Sequence, residues 1–232
     1  MKKILFTAIG VLMTSVMIFA QIRTSKTFAA FTAGPSYPVG LFSNTNIEEP
    51  NAGMAKNGFN IDVRLGHQFD QVFGITGGLT YGRYAVQDPH YYYYYSSENG
   101  DDVQIDPWQY YQVVAGPMIS AKLSPRTNLD FSVLSGIALV TCPKTKYNGE
   151  IVSEQDRVAT APLKLGVDFR YRFNNAGYLF AGTSYQYMRP NFKIKGFMDV
   201  SETPGEGFDD NFYRFTQKMN TIGMNVGLGF AF

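Results

Sequence analysis

The chain holds one cysteine, one tryptophan and two histidines, and after residue 20 it has no apolar run approaching the roughly eighteen residues that a membrane-spanning helix needs. Each scarcity removes a class. Cys142 has no second cysteine to pair with inside the chain, and no residue stands at metal-ligand spacing around it, so it reads as a single thiol near a strand end. His67 shares a row with Phe59, Ile61, Val63, Leu65 and Phe69 and reads as an interfacial side chain, while His90 stands beside Asp88 in a polar stretch. Catalysis requires a nucleophile, a base and an orienting group in mutual reach. No such set is present, so the chain reads as a non-enzyme with no catalytic, cofactor or metal residues to assign. The stretches between strands also lack the regular oxygen-ligand spacing of a calcium loop. Twenty Lys and Arg against 19 Asp and Glu give a net charge of +1, which provides no electrostatic reason to expect nucleic-acid binding.

What is present begins at the N-terminus. Lys2 and Lys3 precede an apolar run from Ile4 to Phe19 that ends at small Ala20, the parts of a cleaved secretory signal over residues 1–20. Gln21 follows rather than cysteine, so no lipid-modified cysteine is expected. Residues 21–232 then fit one domain.

That domain alternates apolar with polar or small residues in eight stretches, near Phe28 to Gly40, Asn57 to Phe69, Phe73 to Val86, Trp108 to Leu123, Asn128 to Thr141, Val158 to Phe173, Gly177 to Arg189 and Lys218 to Phe232. Each is long enough to cross a bilayer as a tilted strand, which takes about 9 to 11 residues. In the sixth, Leu163, Leu165, Val167, Phe169, Tyr171 and Phe173 share one face and Lys164, Gly166, Asp168, Arg170 and Arg172 the other. Without a spanning helix, only a closed barrel satisfies every backbone group in lipid. The connections agree. Asp70-Gln71-Val72, Ser124-Pro125-Arg126-Thr127 and Asn174-Asn175-Ala176 are tight turns, whereas Leu41 to Lys56, Gln87 to Pro107, Cys142 to Arg157 and Pro190 to Gln217 are long. This alternation predicts a closed antiparallel up-and-down transmembrane barrel of eight strands, with short periplasmic turns and long extracellular loops.

Aromatic residues gather at strand ends. Phe69, Phe73, Tyr171, Phe173, Tyr178, Phe230 and Phe232 fall by the short turns, and Tyr84, Trp108, Tyr110, Tyr111, Tyr185 and Tyr187 toward the long loops, which predicts two interfacial girdles. Pro35 and Pro117 stand mid-strand in matching Ala-Gly-Pro tripeptides, where a missing donor predicts a bulge. In strand seven Leu179 and Phe180 compete for the lipid side.

The last strand ends Asn225-Val226-Gly227-Leu228-Gly229-Phe230-Ala231-Phe232. A polar Asn225, a glycine at Gly227 and spaced aromatics at Phe230 and Phe232 resemble the assembly signal of outer-membrane β-barrel proteins. With the secretory segment and the eight strands, the chain from Phe28 to Phe232 resembles the outer-membrane β-barrel domain family of porin-like or PorT-like small barrels of Gram-negative outer membranes. The resemblance implies insertion by the barrel-assembly machinery and residence in the cell outer membrane, among its lipid and lipopolysaccharide. Some small outer-membrane barrels are lipid-modifying hydrolases that use serine and histidine, but no His and Ser stand two apart on one lipid-facing strand here.

An eight-stranded barrel is only wide enough for its inward side chains to fill it. The expected lumen set is Asp62, Arg64, Lys122, Asp130, Lys164, Asp168, Arg170 and Arg172, five cations against three anions that can pair as a structural plug. A narrow anion-preferring path through the same cations is the alternative. The run Tyr91, Tyr92, Tyr93, Tyr94 and Tyr95 in the second long loop offers rigid contact area for a surface protein or glycan, or simply extends the barrel wall as a hairpin. The four long loops carry 15 acidic and 7 basic residues, a charge that can share divalent cations with lipopolysaccharide. Two functions follow as expectations: a structural wall or interaction scaffold that presents its loops, and a small porin-like channel for small solutes.

Overall fold

The computed structural model describes residues 26–46, 49, 51–87, 103–147, 150–153, 155–174, 176–195 and 212–232; the signal segment 1–20, His90 and Tyr91 to Tyr95 lie outside the described residues. The strands are β1 (Thr27–Val39), β2 (Ala55–Gln68), β3 (Phe73–Val86), β4 (Val103–Ile105), β5 (Trp108–Ser124), β6 (Thr127–Thr141), β7 (Thr145–Tyr147), β8 (Glu150–Ser153), β9 (Arg157–Thr160), β10 (Leu163–Arg172), β11 (Gly177–Met188), β12 (Asn191–Lys195), β13 (Phe212–Thr216) and β14 (Met219–Ala231). One 3-10 turn, Gly40–Phe42, follows β1.

Eight strands close a ring in the order β1, β2, β3, β5, β6, β10, β11, β14, with β14 returning to β1 and every neighbour antiparallel. Closure leaves the ring with no unpaired edge. The sixth expected strand is one path in two pieces. Both β9 and β10 pair with β6 in a single register, Ala138 with Thr160 and Ser135 with Leu163, and only Ala161 and Pro162 drop out of the ladder.

The same behaviour corrects the bulges expected at Pro35 and Pro117. Gly34 and Pro35 leave the ladder to β14, yet Ala33 pairs with Val226 and Ser36 with Gly223, so the register does not shift. Gly116 and Pro117 leave the ladder to β6 in the same way, between Ala115 with Ser135 and Met118 with Ser132. Each proline keeps its pairing on the other side. The preceding glycine explains how the gap is tolerated. A Cβ on Gly34 would strike the Met224 carbonyl and one on Gly116 the Val133 carbonyl, so the neighbouring strand closes onto the bare backbone where the proline offers no hydrogen bond.

Period-2 alternation sorts the side chains. The outside carries Phe31, Val63, Leu65, Ile75, Leu79, Val113, Ile119, Phe131, Val133, Ile137, Leu165, Val167, Phe169, Met224, Val226 and Leu228, an exposed apolar belt around the ring. In water such a patch would be far larger than a monomer tolerates; in a bilayer it is the solvent-facing surface. Leu179 faces out and Phe180 in, which settles strand seven.

The short-turn girdle keeps Phe69, Phe73, Phe173 and Phe232 outside, but Tyr178 shares the inward face with Phe180. At the opposite end, Tyr84, Trp108 and Tyr110 are buried inside and do not form a girdle. One residue decides it: Tyr110 is 1% exposed and its neighbour Tyr111 is 51% exposed. The outward row there is built from Phe59, Tyr81, Tyr111 and Tyr185, with Tyr81 ring centres 6.0 Å from Phe59 and 4.9 Å from Tyr111.

Two of the tight turns use one device. Asp70 Oδ1 accepts the amides of Val72 at 2.7 Å and Phe73 at 2.6 Å, and Asn174 Oδ1 accepts those of Ala176 at 2.9 Å and of Gly177. The Phe73 amide, then that of Val72, holds the Asp70 carboxyl below the usual carboxylate range. Its stabilisation is therefore present above the unfolded-chain pKa and lost as pH falls through the folded value. Replacing Asp70 with Ala should lower the urea midpoint of the micelle-bound barrel at pH 7, and the gap to wild type should close as pH falls below about 4. A gap as wide at pH 3 as at pH 7 would show that the turn does not depend on the ionised carboxylate.

Candidate functional site

The interior is stratified, and its middle layer is ionic. Asp62 and Arg64 face inward from β2, and Lys164 and Asp168 from β10, which stands four strands away on the opposite wall. Lys164 Nζ donates to Asp62 Oδ1 at 2.7 Å, and Arg64 pairs with Asp168, so two ion pairs span the lumen. Asp62 also accepts from Thr80 at 2.5 Å and from Asn225 Nδ2 at 2.8 Å. A third pair joins neighbouring strands: Arg170 faces Asp130 through Nε to Oδ2 at 3.0 Å and Nη2 to Oδ1 at 3.2 Å, and Ser120 donates to the same carboxylate at 2.6 Å. Six charges are thus buried and balanced three to three. Buried ions of this kind are tolerated only when paired and hydrogen-bonded.

Lys122 and Arg172, counted in the expected lumen set, do not join this network. Lys122 is exposed, and Arg172 is half-buried with its Nη2 donating to the Pro125 carbonyl at 2.8 Å. Both have inward parity but stand at the short-turn ends of their strands, Arg172 as the last residue of β10 and Lys122 two residues before the end of β5, past the end of the lumen. The excess of cations read from the sequence therefore belongs to the short-turn mouth.

Apolar layers close both ends. Toward the short turns, Phe28, Ala30, Met118 and Phe180 pack together, with the Phe28 and Phe180 rings 5.6 Å apart. The Arg170 guanidinium lies over the Phe28 ring at 4.6 Å and the Tyr178 ring at 5.4 Å, joining this seal to the ionic layer. Toward the long loops, Gln112 Nε2 donates to Gln186 Oε1 at 2.9 Å, and the Ser36 and Tyr84 hydroxyls meet at 2.8 Å. Above them Phe42, Tyr84, Trp108, Tyr110, Met188, Phe192 and Met219 form the largest apolar cluster among the described residues. Glycines make room: a Cβ at Gly66 would enter the Phe28 ring and one at Gly82 the Tyr110 ring.

The upper cluster also ties the long-loop end together. Phe42 enters from the 3-10 turn against Tyr84 and Trp108. Trp108 Nε1 donates to the Gly53 carbonyl at 2.9 Å, and its ring meets Phe192, which stacks on Phe215 at 5.2 Å. The last two residues belong to the β12–β13 hairpin, which continues the β11–β14 register upward, Met188 with Met219 and then Asn191 with Thr216. A separate three-stranded sheet of β4, β7 and β8 joins two of the long connections. The sequence alone predicts only loops in these segments. Their strands are short, and nothing in their period distinguishes a ribbon from an irregular connection.

Asp156 links β6, β9 and β12. Its amide donates to Cys142 Sγ at 3.1 Å, and its carboxylate accepts from the amides of Arg157 at 2.7 Å and Lys193 at 2.9 Å. Burial pushes the Cys142 thiol up to about 11. His67 accepts or donates at Nδ1 to Thr27 Oγ1 at 2.8 Å and stacks edge-on with Phe69 at the rim, outside the lumen. Of the terminal motif, Asn225 points inward to Asp62, Phe230 and Phe232 lie on the outward face, and Gly227 sits where a Cβ would strike the Phe31 carbonyl at the closing seam. Gln112, Gln186, Thr80 and Ser120 were missed as lumen residues, although inward parity with Val114, Phe180, Gly82 and Met118 respectively marks them.

No family model and no curated protein matches the sequence. Solved structures do. Neisserial surface protein A is 11% identical, with 90% of this chain and 98% of that chain covered at a TM-score of 0.52. A major outer membrane protein from Thermus thermophilus is 10% identical, with 89% and 99% covered at a TM-score of 0.52. The fold is that of the small outer-membrane barrels. At this identity the likeness concerns the fold and carries no activity with it.

Replacing Asp62 with Asn leaves Lys164 buried without a counter-ion and should cost about 3–5 kcal/mol in urea unfolding, whereas Asp62→Asn with Lys164→Met should recover part of that loss. A loss in the double variant equal to the sum of the Asp62→Asn and Lys164→Met single losses would show that the two residues are not coupled. For the thiol, iodoacetamide at pH 8 should leave Cys142 of the folded barrel unmodified over a period that fully alkylates the heat-unfolded chain.

Proposed function

We propose that this chain is a non-enzymatic integral protein of the outer membrane, delivered by its N-terminal signal and inserted by the barrel-assembly machinery, in which a sealed barrel acts as a structural wall and interaction scaffold. The short turns face the periplasm and the long loops the exterior. The observation that carries this reading is the filled interior: two apolar seals with a balanced ionic layer between them. A channel needs a continuous polar path and unpaired charges to select ions. Here the six buried lumen charges answer one another, and the two remaining cations lie at the mouth. That arrangement favours the scaffold over the small porin-like channel.

The working surface is then the long-loop end. Ordered ribbons stand on the barrel rim there, fixed by Trp108, Phe192 and Asp156. A pre-ordered surface loses little conformational entropy on binding a protein or glycan. Its lipid surroundings include lipopolysaccharide, whose phosphates meet an acidic loop set through shared divalent cations.

Reconstituted in planar bilayers, the protein should show no steady conductance, and Lys164→Gln should leave that silence unchanged. Replacing residues 191–216 with a short Gly-Ser turn should preserve the heat-modifiable folded band while removing whatever component copurifies at fixed stoichiometry. Selective, reproducible anion currents from the wild-type barrel would reverse the choice in favour of the channel.

A further inference from the structure

We infer that the short-turn end carries a binding site for the headgroup of an anionic phospholipid, built by Lys122, Arg126 and Arg172. The inference rests on the proposed outer-membrane orientation, which places this end at the phospholipid leaflet. The three cations come from adjacent elements: Lys122 from the end of β5, Arg126 from the β5–β6 connection and Arg172 from the end of β10. Backbone pairing holds them together. Lys122 is opposite Asn128, and the Arg172 amide donates to the Arg126 carbonyl at 2.7 Å. Lys122 and Arg126 are exposed, and Arg172 is fixed by its bond to Pro125.

No carboxylate answers them. Among the described residues, none of the three has an acidic partner, and Asp130, the acid of the intervening strand β6, is buried and committed to Arg170 and Ser120. Three like charges on neighbouring strands repel one another unless an anion lies between them. The other side of the rim is different. There Asp70 occupies the β2–β3 turn, and Lys26 donates to the Phe69 carbonyl at 2.9 Å. Among the described residues, the cations that have no acid beside them are therefore gathered in one sector of the mouth.

The chemistry beside the cluster selects a lipid rather than a free anion. Leu123 and Phe173 stand exposed on the outer wall one residue from Lys122 and Arg172, whose inward parity sets them at the mouth, so acyl chains lie against the belt while a phosphate reaches the cations over the rim. Arginine at two of the three positions suits phosphate, because its planar fork can donate two parallel bonds.

The test is native mass spectrometry of the full-length barrel released from detergent micelles doped with equal phosphatidylglycerol and phosphatidylcholine. Wild type should retain phosphatidylglycerol preferentially, and each cation neutralised should weaken the preference about fivefold. Lys122→Gln with Arg126→Gln leaves the Pro125 bond intact and is the first variant, with the heat-modifiable band as the folding check. Adding Arg172→Gln should leave no preference, while Lys122→Arg with Arg126→Lys should keep it. Equal retention of the two lipids by wild type, an unchanged preference in the neutralised variants, or selective retention of acidic cell-wall fragments instead would each overturn the site. Failure of the outer-membrane reading has a separate signature, since the protein would then not insert into vesicles at all.

Discussion

The barrel depends on two salt bridges that cross it. Backbone ladders hold each strand only to its neighbours, and the apolar belt outside gains nothing by folding inward when lipid is its solvent. The cross-section must therefore be fixed from within. Asp62 and Arg64 descend β2 as acid then base, while Lys164 and Asp168 descend β10 as base then acid, so each charge meets its opposite at the same level of the facing wall. The long Lys and Arg stems supply the reach, and inward glycines such as Gly82 and Gly166 leave the space. A hydrophobic filling would hold the shape less specifically. An unpaired ion at any of these positions would be a defect of several kilocalories per mole.

The seals above and below make that ionic layer work. Phe28 and Phe180 at one end, and Tyr84, Tyr110 and Phe42 at the other, exclude bulk water from the pairs and so lower the local screening of their attraction. The upper seal does a second job. Its members include residues of the 3-10 turn, β3, β5, β11, β14 and the β12–β13 hairpin, so packing in the lumen also sets where the external ribbons stand. Interior order and surface presentation are the same physical structure viewed at two heights, which is why a rigid, filled barrel is a suitable base for recognition.

Much of this was legible in the chain. Strict alternation over Leu163 to Phe173 assigned both faces of β10, and Asp70 and Asn174 announced the tight turns. Three limits were physical. Parity told which face Lys122 and Arg172 share with Lys164 and Arg170, but not that the lumen ends before their strands do. Adjacent Tyr110 and Tyr111 both suit a membrane interface, and only the register to β3 sends one to the core. Pro35, Pro117 and Pro162 indicate a lost donor, whereas whether the strand bulges or merely opens depends on the glycine or alanine beside each and on how near the neighbouring backbone can come.

Charge is sorted by height in this protein, and the sorting has consequences for how it sits. The long connections carry 15 acids and 7 bases, the buried lumen is neutral, and the short-turn mouth holds Lys122, Arg126 and Arg172 with no acid among them. Neutrality in the middle is what the low dielectric demands. At the ends water and headgroups bear the charge, so the sign there is free to encode orientation. A basic short-turn end is attracted to an anionic leaflet, and an acidic long-loop end is repelled by an anionic glycolipid unless divalent cations bridge the two. Inverting the barrel would set the acidic end against the phospholipid leaflet and the basic end against the anionic glycolipid, so the bridging cations at the long-loop end, rather than the sign of either end alone, decide how the charge pattern sits in the bilayer.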